Sequence, residues 1–404
     1  MSHGEDTPEV EPLAPGKTLG IVTGKLYYEH GGRYYTTGGI NSYVLGLAAH
    51  FRRTVLAVPV KPADRVDHLS HLPEGPVRVF PLPAWTHRGA AVLAAWPVVK
   101  RRLREALAGC DIVNPRLYMM VSMAAISALR PAGVPLFLSL TGDFSGLRPK
   151  GPLRFLSPRY WAIPWVSRAL RENFTFVHGA HLAEMYALRP GGYAPTYSST
   201  FHGGDIAPRA CHPPPPGQPI RLVFLGRLSE GKALDTLLRA MADVAKGGLE
   251  FALDVMGSGP MRQGWERLSQ DLGLRNVVFH GNVPQGPRWR ELTGEANALV
   301  LTSLAEGAPK VVVEALRCAL PVLSTRVGAV PSVIREGVNG WLVEPGSVEQ
   351  FAAALKGMAA LSGQQWVGIS EANRALAAKY TIEEVSREMV EVLIAKGLLS
   401  EGHR

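Results

Sequence analysis

The sequence predicts an α/β fold built from two domains, each with a parallel β-sheet. Apolar runs of strand length alternate along the chain with segments whose apolar residues recur every three to four positions, which is helical spacing. Strands that alternate with helices are typical of parallel sheets. At 404 residues, 46% of them hydrophobic, the chain is too long for one ordinary core and suits two domains.

A proline-rich segment marks the expected domain boundary. Residues 211–219 read CHPPPPGQP, a stiff linker. We therefore expect an N-terminal domain over residues 16–210 and a C-terminal domain over residues 220–379. Residues 380–404 begin with a long amphipathic helix. Residues 1–15 are acidic and proline-rich, unlike a signal peptide, and are expected to be poorly ordered.

Composition narrows the classes of protein that fit. The formal net charge of +9 suits an anionic ligand, an acidic membrane surface or nucleic acid. No zinc finger, aromatic RNA-binding motif or basic zipper accompanies the charge, so nucleic acid is the weakest of the three. The three cysteines have no metal-ligand spacing. No apolar run reaches the roughly 18 residues of a membrane span. A reduced, cytoplasmic setting fits best.

One stretch of the first domain suggests a membrane surface. Residues 88–108 combine an apolar stripe with a cluster of four cations, Lys100, Arg101, Arg102 and Arg104, and Pro97 interrupts the pattern. A basic amphipathic face can lie on an anionic membrane, which would make the protein peripheral. The alternative, which we favour, is a surface helix that packs on the sheet while its arginines remain solvated.

The first domain contains a series of strand candidates followed by helices. Gly38 and Gly39 precede an amphipathic helix, and a glycine pair there lets the backbone approach a phosphate. The chain between the first strand and this pair is expected to be a long loop. A helix over residues 121–129 crosses between two later strands. The strands are expected at residues 17–23, 55–59, 77–81, 111–114 and 135–141.

The second domain opens with a strand, a loop and a helix. Residues 220–225 are apolar, Gly226 allows the chain to turn, and a helix follows from Leu234. Arg227 and Lys232 lie in the intervening loop, five positions apart. Arginine as a planar fork and lysine as a compact charge both suit a pyrophosphate. A solvated loop is the alternative interpretation.

The stretch from Ala298 to Arg326 predicts a strand, a loop, a helix and a second strand. Pro309 suits the first residue of the helix. Such a unit places unpaired backbone N–H groups beside the carboxyl end of a parallel strand, which favours an anion. Glu306 and Glu314 flank this position and can accept hydrogen bonds from hydroxyls. A phosphate between two polyhydroxylated rings would fit, whereas a solvated face with two unrelated glutamates is the plainer alternative.

These motifs resemble those of retaining glycosyltransferases of family 4. EGAPKVVVE resembles the family's E-x7-E element, and GRLSEGK resembles its G-R-L-x-x-x-K motif. The glycine that usually follows the lysine is Ala233 here. The resemblance runs from about Lys17 to the C-terminus and is closest over residues 220–355. It implies the GT-B architecture, in which two Rossmann-like domains face each other across a cleft and the C-terminal helix crosses back onto the first domain.

The resemblance also implies roles for individual residues. Arg227 and Lys232 would neutralise the departing diphosphate, Glu306 would contact the transferred sugar and Glu314 the ribose. Gly38 and Gly39 would approach the diphosphate from the first domain. The remaining donor contacts are expected at a glycine-rich turn, at a base-reading loop and at the helix N-terminus, namely Gly257, Asn282, Val283, Gly307, Ala308, Pro309, Lys310 and Val311.

The first domain departs from the family pattern at its reaction centre. The family commonly carries a histidine at the end of the strand that here ends in TGD. Thr141 or Gly142 occupies that position, and Asp143 follows. We expect Thr141 and Asp143 to contact the acceptor and Asp143 to have a catalytic role. A capping carboxylate is the alternative for Asp143.

The sequence thus predicts a metal-independent enzyme without a cofactor that transfers a sugar from a nucleotide diphospho-sugar to a hydroxyl acceptor. Two alternatives stay open: a nucleotide-sugar-binding protein without transfer, and a GT-B enzyme of other chemistry such as an epimerase or an inverting transferase. The nucleotide base, the sugar and the acceptor are not determined by these motifs.

Overall fold

A computed structural model describes residues 11–67, 69–87, 89–117, 120–141, 158–208, 210–215 and 217–400. The chain divides into two compact units. Unit 1 comprises Met1–Thr200 with Ile382–Arg404, and unit 2 comprises Phe201–Thr381. The division after Thr200 falls before the proline-rich segment that the sequence offered as a linker.

The strands of unit 1 form two sheets that are joined by isolated bridges between β7 and β8. The parallel series runs β6-β4-β1-β7 in one sheet and β8-β9-β10 in the other. The strands are β1 (Ala14–Val22), β2 (Tyr27–His30), β3 (Arg33–Thr36), β4 (Phe51–Pro62), β5 (Ser70–Leu72), β6 (Val77–Pro83), β7 (Ile112–Pro115), β8 (Phe137–Leu140), β9 (Phe174–His178) and β10 (Tyr193–Thr196).

The helices of unit 1 cover these sheets. Most side chains of α4 are buried, since it packs against β1, β7 and the neighbouring helices. The helices are α1 (Ile40–Ala48), α2 (Gly89–Ala94), α3 (Trp96–Leu107), α4 (Met120–Leu129), α5 (Pro158–Glu172) and α6 (Ala180–Met185).

Three expectations for unit 1 need correction. The long loop after the first strand contains the antiparallel hairpin β2–β3, which adds to the sheet through β4. Its alternating Tyr and polar residues suit a half-buried strand pair. The strand β1 begins at Ala14, inside the stretch expected to lack order. Residues 88–108 do not form one helix, because α3 restarts after Ala95 with Pro97 in its first turn.

Unit 2 is one parallel sheet in the order β13-β12-β11-β14-β15-β16. This order is that of a doubly wound nucleotide-binding sheet, in which the direction of winding reverses between β11 and β14. The strands are β11 (Ile220–Leu225), β12 (Phe251–Met256), β13 (Val277–Gly281), β14 (Ala298–Leu301), β15 (Val322–Thr325) and β16 (Gly340–Val343). The central strands β14 and β15 are buried throughout, as helices on both faces require.

The helices of unit 2 bury apolar faces against the sheet or against one another, as α13 does against α10. In α7 the buried positions include Leu234, Leu237, Leu238 and Met241, which recur at helical spacing. The helices are α7 (Leu234–Ala245), α8 (Arg262–Asp271), α9 (Pro287–Glu295), α10 (Lys310–Arg317), α11 (Val330–Val333), α12 (Val348–Ala359) and α13 (Gly363–Ala377).

The last helix, α14 (Ile382–Ala395), belongs to unit 1 although it follows unit 2 in sequence. It packs against α1, and its Met389, Val390 and Leu393 join the core cluster that contains Leu47. A methyl group on Gly46 of α1 would lie 2.7 Å from Cγ2 of Ile382, so the two helices approach closely. In the part of the chain that the structure describes, no helix is both long enough and apolar enough to cross a bilayer.

Candidate functional site

The first site loop connects β11 to α7. Gly226 has a φ of +151°, which suits glycine, and a Cβ at this position would lie 3.8 Å from the Lys232 Nζ. Ala233, where the family usually has glycine, adopts the left-handed conformation with a φ of 44° and a ψ of 42°. That conformation costs an L-residue about 1–2 kcal/mol, so the surrounding structure holds it there. The turn geometry is thus kept without the glycine.

The second site loop connects β14 to α10 and is bonded to the first. The Leu304 amide donates to the Gly231 carbonyl at 2.9 Å, and the Thr302 hydroxyl donates to the Lys232 carbonyl at 2.5 Å. Both loops leave the carboxyl ends of the strands between which the sheet reverses its winding. Ligands of such sheets bind at this position.

An ion pair joins the two loops. Lys232 Nζ donates to Glu306 Oε1, and the Ser303 hydroxyl donates to the same oxygen at 2.6 Å. The Lys232 and Glu306 side chains are only 21% and 16% exposed, respectively, so solvent screens the pair weakly. Each residue is thereby held in place before a ligand arrives.

Gly328 allows the Glu306 loop to take its path. It has a φ of +53°, and a Cβ there would lie 2.2 Å from the Gly307 carbonyl oxygen and 2.4 Å from that of Glu306. The next amide, Ala329 N–H, donates to the Gly307 oxygen at 2.7 Å. No other residue type fits this approach without moving the loop.

The helix α10 begins at the end of the second loop. Pro309 is its N-cap, with a φ of −69° and a ψ of 115°, so the helix starts one residue later than expected. Its first backbone N–H groups point away from the helix body and carry its positive dipole end. Glu314, on the same helix, accepts a hydrogen bond from Gln285 Nε2 at 3.2 Å.

A cavity of about 570 Å³ opens at this edge of the unit 2 sheet. Arg227 of the first loop and Glu314 of α10 both line it, so a cation and a carboxylate from different elements face one space. Trp289 forms part of the wall and is buried. The Arg317 guanidinium carbon lies 5.1 Å from the centroid of its ring. The remaining lining residues are Leu225, Gly226, Met256, Gly257, Ser258, Gly259, Asn282, Val283, Gln285 and Val311.

The structure therefore brings most of the predicted donor residues together in unit 2. Arg227, Gly257, Asn282, Val283 and Glu314 line the cavity, as does Val311. Lys232 contacts Glu306 beside Gly226. The segment from Gly307 to Lys310 connects Glu306 to the first turn of α10.

The predicted residues of the first domain lie in unit 1. Gly38, with a φ of +75°, and Gly39, the N-cap of α1, precede that helix. Thr141 directly follows β8. Gly142 and Asp143 lie outside the described residues, so the acceptor and catalytic roles expected of Asp143 stay predictions.

Several residues that shape the site were not singled out from the sequence. Gly259 permits a close approach, since a Cβ there would lie 2.2 Å from the Leu228 carbonyl oxygen. Thr302 ties the second loop to the first through the Lys232 carbonyl, and Ser303 holds the Glu306 carboxylate within the second loop. The sequence shows the second glycine of GSG, Gly259, and the polar residues Thr302 and Ser303 after β14. Only the tertiary structure shows which groups they contact.

Metal ligands are not assembled in the described part of the chain. Across those residues, no group of three or more His, Cys, Asp or Glu side chains is placed to hold an ion. All three cysteines are free thiols. The expected metal independence stays a prediction.

Comparison with known proteins relates unit 2 to one family. Residues 219–360, which contain both site loops, match the model of the family described as glycosyl transferases group 1. This part of the chain is therefore similar to the group 1 glycosyl transferases. The match covers the unit 2 sheet and the helices α7 to α12, where the predicted donor residues converge.

Relatives of this chain align over different lengths. It is 25% identical over 369 residues to a D-inositol 3-phosphate glycosyltransferase of Catenulispora acidiphila, covering 84% of this chain and 86% of the relative. It is 30% identical over 207 residues to the D-inositol 3-phosphate glycosyltransferase of Mycolicibacterium paratuberculosis, covering 51% and 46%. The chain spans about half the length of several curated relatives that it matches.

Solved structures show the fold of this chain over both units. Anabaena Alr3699/HepE in complex with UDP superposes with a TM-score of 0.66 at 16% identity, covering 94% of this chain and all of that protein. The fold is therefore the GT-B architecture that the sequence motifs predicted.

Proposed function

We propose that this protein is a retaining glycosyltransferase of the group 1 type that moves a sugar from a nucleotide diphospho-sugar to an acceptor hydroxyl. The main support is that Arg227, the Lys232–Glu306 pair and Glu314 lie at one edge of the unit 2 sheet. The names of the aligned relatives and the UDP-bound neighbour support the same reaction class.

The geometry suits transition-state stabilisation by charge. Negative charge grows on the diphosphate as the glycosidic bond breaks. Lys232 and the N-terminal amides of α10 are already oriented by the fold, and Arg227 lines the same edge of the sheet, so little reorganisation is needed at that moment. Because these groups can neutralise the leaving diphosphate, we propose that transfer proceeds without a metal ion. Undiminished transfer in excess EDTA is the expected result.

Glu306 is proposed to act on the sugar. Its carboxylate is held by Lys232 and Ser303, so it can accept hydrogen bonds from sugar hydroxyls in one fixed orientation. Retention follows if the leaving phosphate deprotonates the acceptor hydroxyl on the same face of the sugar. No side chain is assigned as a nucleophile.

The test begins with binding and then measures transfer. The full chain is titrated with UDP, GDP, ADP and TDP by calorimetry, and the matching nucleotide sugars are then offered with a panel of hydroxyl acceptors. NMR of the product gives the anomeric configuration. We expect nucleotide binding and retention of configuration. An inverted product would contradict the retaining mechanism, and tight binding without transfer to any acceptor would favour a binding protein.

Glu306→Gln separates binding from transfer in the same assay. The amide keeps the size and one hydrogen-bond acceptor of the side chain, but removes the charge that holds Lys232. We expect nucleotide affinity to stay the same or rise, since Lys232 is released toward the diphosphate, while transfer falls by at least about 100-fold. Glu291→Gln, on the exposed face of α9, is the matched control.

A further inference from the structure

The sheet of unit 1 has a reversal point of its own, between β1 and β7. The strand β1 pairs with β4 on one side and with β7 on the other, and Val22 lies opposite Pro115. The next amide after β7, Arg116 N–H, donates to the Val22 carbonyl at 2.9 Å. Ligands of parallel sheets bind beyond the carboxyl ends of strands at such a point.

Arg116 lies at this point, stacked on an aromatic ring. Its guanidinium carbon is 4.0 Å from the centroid of the Tyr43 ring. Its Nη1 atom is buried and has no hydrogen-bond acceptor. Within the described part of the chain, no carboxylate forms an ion pair with it. Burial lowers the pKa of Arg116, although an arginine side chain remains charged in proteins.

Lys25 is a second cation at the same edge. It follows the last residue of β1 by three positions and is half-buried. Among the described residues it too has no ion-pair partner. Burial lowers the pKa of Lys25 because the charged form loses hydration. A cation that loses hydration on burial is unfavourable unless an anion joins it, and this holds for both Lys25 and Arg116.

A polar network holds Arg116 in place. The Tyr43 ring on which it stacks is fixed by its hydroxyl, which donates to Asn114 Oδ1 at 2.8 Å and lies 2.9 Å from Ser139 Oγ. Asn114 Nδ2 in turn donates to the Phe137 carbonyl at 2.9 Å. Tyr43 lies in the first turn of α1, so the guanidinium is positioned beside the N-terminal part of that helix.

We propose that Lys25 and Arg116 form an anion-binding site at the carboxyl edge of the unit 1 sheet, and that its ligand carries a phosphate group. The planar guanidinium matches phosphate in a bidentate manner, and the ammonium adds a compact charge. The reversal point of unit 2 differs, because its lysine is already paired with a glutamate. In unit 1, Lys25 and Arg116 have no ion-pair partner among the described residues and are available to a ligand.

The test measures phosphate binding and does not depend on sugar transfer. The full chain carrying Arg227→Ala and Lys232→Ala is titrated with inorganic phosphate at constant ionic strength, so that the unit 2 cations do not contribute. Arg116→Gln and Lys25→Gln are then added singly. Each should weaken phosphate binding roughly tenfold or more, since a hydrogen bond to a charged group is lost. Arg78→Gln, an exposed arginine at the start of β6, should leave affinity unchanged.

If the Arg116→Gln protein does not fold, Arg116→Lys is titrated with phosphate in its place. It keeps the charge but loses the planar fork, so weakened binding is expected. Lys25→Gln is an independent substitution at a partly exposed position. Phosphate affinity within twofold of the parent in every folded variant would overturn the proposal.

A UDP titration of the otherwise unsubstituted chain identifies the source of the phosphate. If Arg116→Gln and Lys25→Gln leave UDP affinity intact while phosphate affinity falls, the group belongs to a second ligand, a phosphorylated acceptor. If UDP affinity falls as well, the group is the donor diphosphate. Both results support the site. A chain that binds phosphate here but transfers no sugar would retain this inference and refute the proposed function.

Discussion

Arg227 is an exposed cation on the wall of the unit 2 cavity. Lys232, in the same loop, already has a partner in Glu306, whereas Arg227 forms no ion pair with any residue that the structure describes. Its charge is therefore the more available of the two for a bound diphosphate.

Replacing Arg227 by alanine should weaken binding of UDP, the probe nucleotide. The lost charge-assisted hydrogen bonds are worth about 1.5–3 kcal/mol, which corresponds to roughly a ten- to hundredfold rise in Kd. Isothermal calorimetry measures the change. Arg239→Ala, at an exposed position on α7, is the matched control and should bind normally. Equal affinity in both variants would remove Arg227 from the donor site.

At the scale of elements, the contact between Gly257 and Gly226 sets how closely two turns at the site pack. A Cβ on Gly257, which follows β12, would lie 1.8 Å from the Gly226 carbonyl oxygen. A backbone carbonyl cannot move away from such a contact as easily as the end of a flexible side chain can. The turn after β12 therefore positions the turn after β11.

Gly257→Ala should destabilise unit 2 by about 1–3 kcal/mol through this overpacking and should also lower UDP affinity, because Gly226 is displaced. Thermal unfolding and calorimetry measure the two effects. Gly264→Ala is the control, since that glycine lies in α8 with open space around it. It should be neutral or slightly stabilising, because alanine favours a helix. A stable Gly257→Ala protein with normal affinity would contradict the packing argument.

The stability contributed by the contact between α14 and His50, just before β4, is expected to depend on pH. His50 is buried, and its Nε2 lies 3.3 Å from Ser386 Oγ on α14. Burial lowers the pKa of His50 below its usual 6.5, aided by Arg387 and opposed by Glu391. The unfolded chain thus binds a proton more readily than the folded one. The associated stability is complete above about pH 6.5 and is lost as the pH falls toward the lowered folded value.

We expect His50→Gln to reduce the loss of unfolding free energy between pH 7 and pH 5, because the titrating group is removed. Denaturant unfolding at a series of pH values measures this slope. His71→Gln, at an exposed position, is the control. A slope that stays the same in His50→Gln would show that other groups dominate acid sensitivity.

For the whole molecule, the path of the chain matters most. It leaves unit 1 at Thr200, builds unit 2, and returns at Ile382 to complete unit 1. The buried residues of α14 share a core with α1 and with the strands β1 and β4. The core of unit 1 is therefore complete only when α14 has packed against α1.

Ending the chain after Thr381 should unfold unit 1 and leave unit 2 folded. Removing Met389, Val390 and Leu393 forfeits about 1.5–3 kcal/mol for each buried side chain, a sum that approaches the roughly 5–15 kcal/mol net stability of a domain. Calorimetric scanning should lose one transition and keep the other. A chain ending after Ser400 is the control. Two intact transitions in the shorter chain would refute the dependence.

The sequence determined a large part of this picture. Strand β11 was predicted over the residues that form it, and the α/β class follows from local apolar periodicity. The hairpin β2–β3 was not predicted, since its short half-polar strands are stabilised by pairing with β4. Pattern reasoning fails where partners far along the chain decide the local structure.

The sequence by itself fixed which side chains are available: the cations after β11, the glutamates around α10 and the glycines of the tight turns. Only the tertiary structure decided their partners. Lys232 meets Glu306 across 74 positions of sequence, whereas Arg116 meets no carboxylate among the described residues. The physical reason is that motif residues are set by local chemistry, while ion pairs and desolvated charges depend on which strand ends the sheet order places side by side.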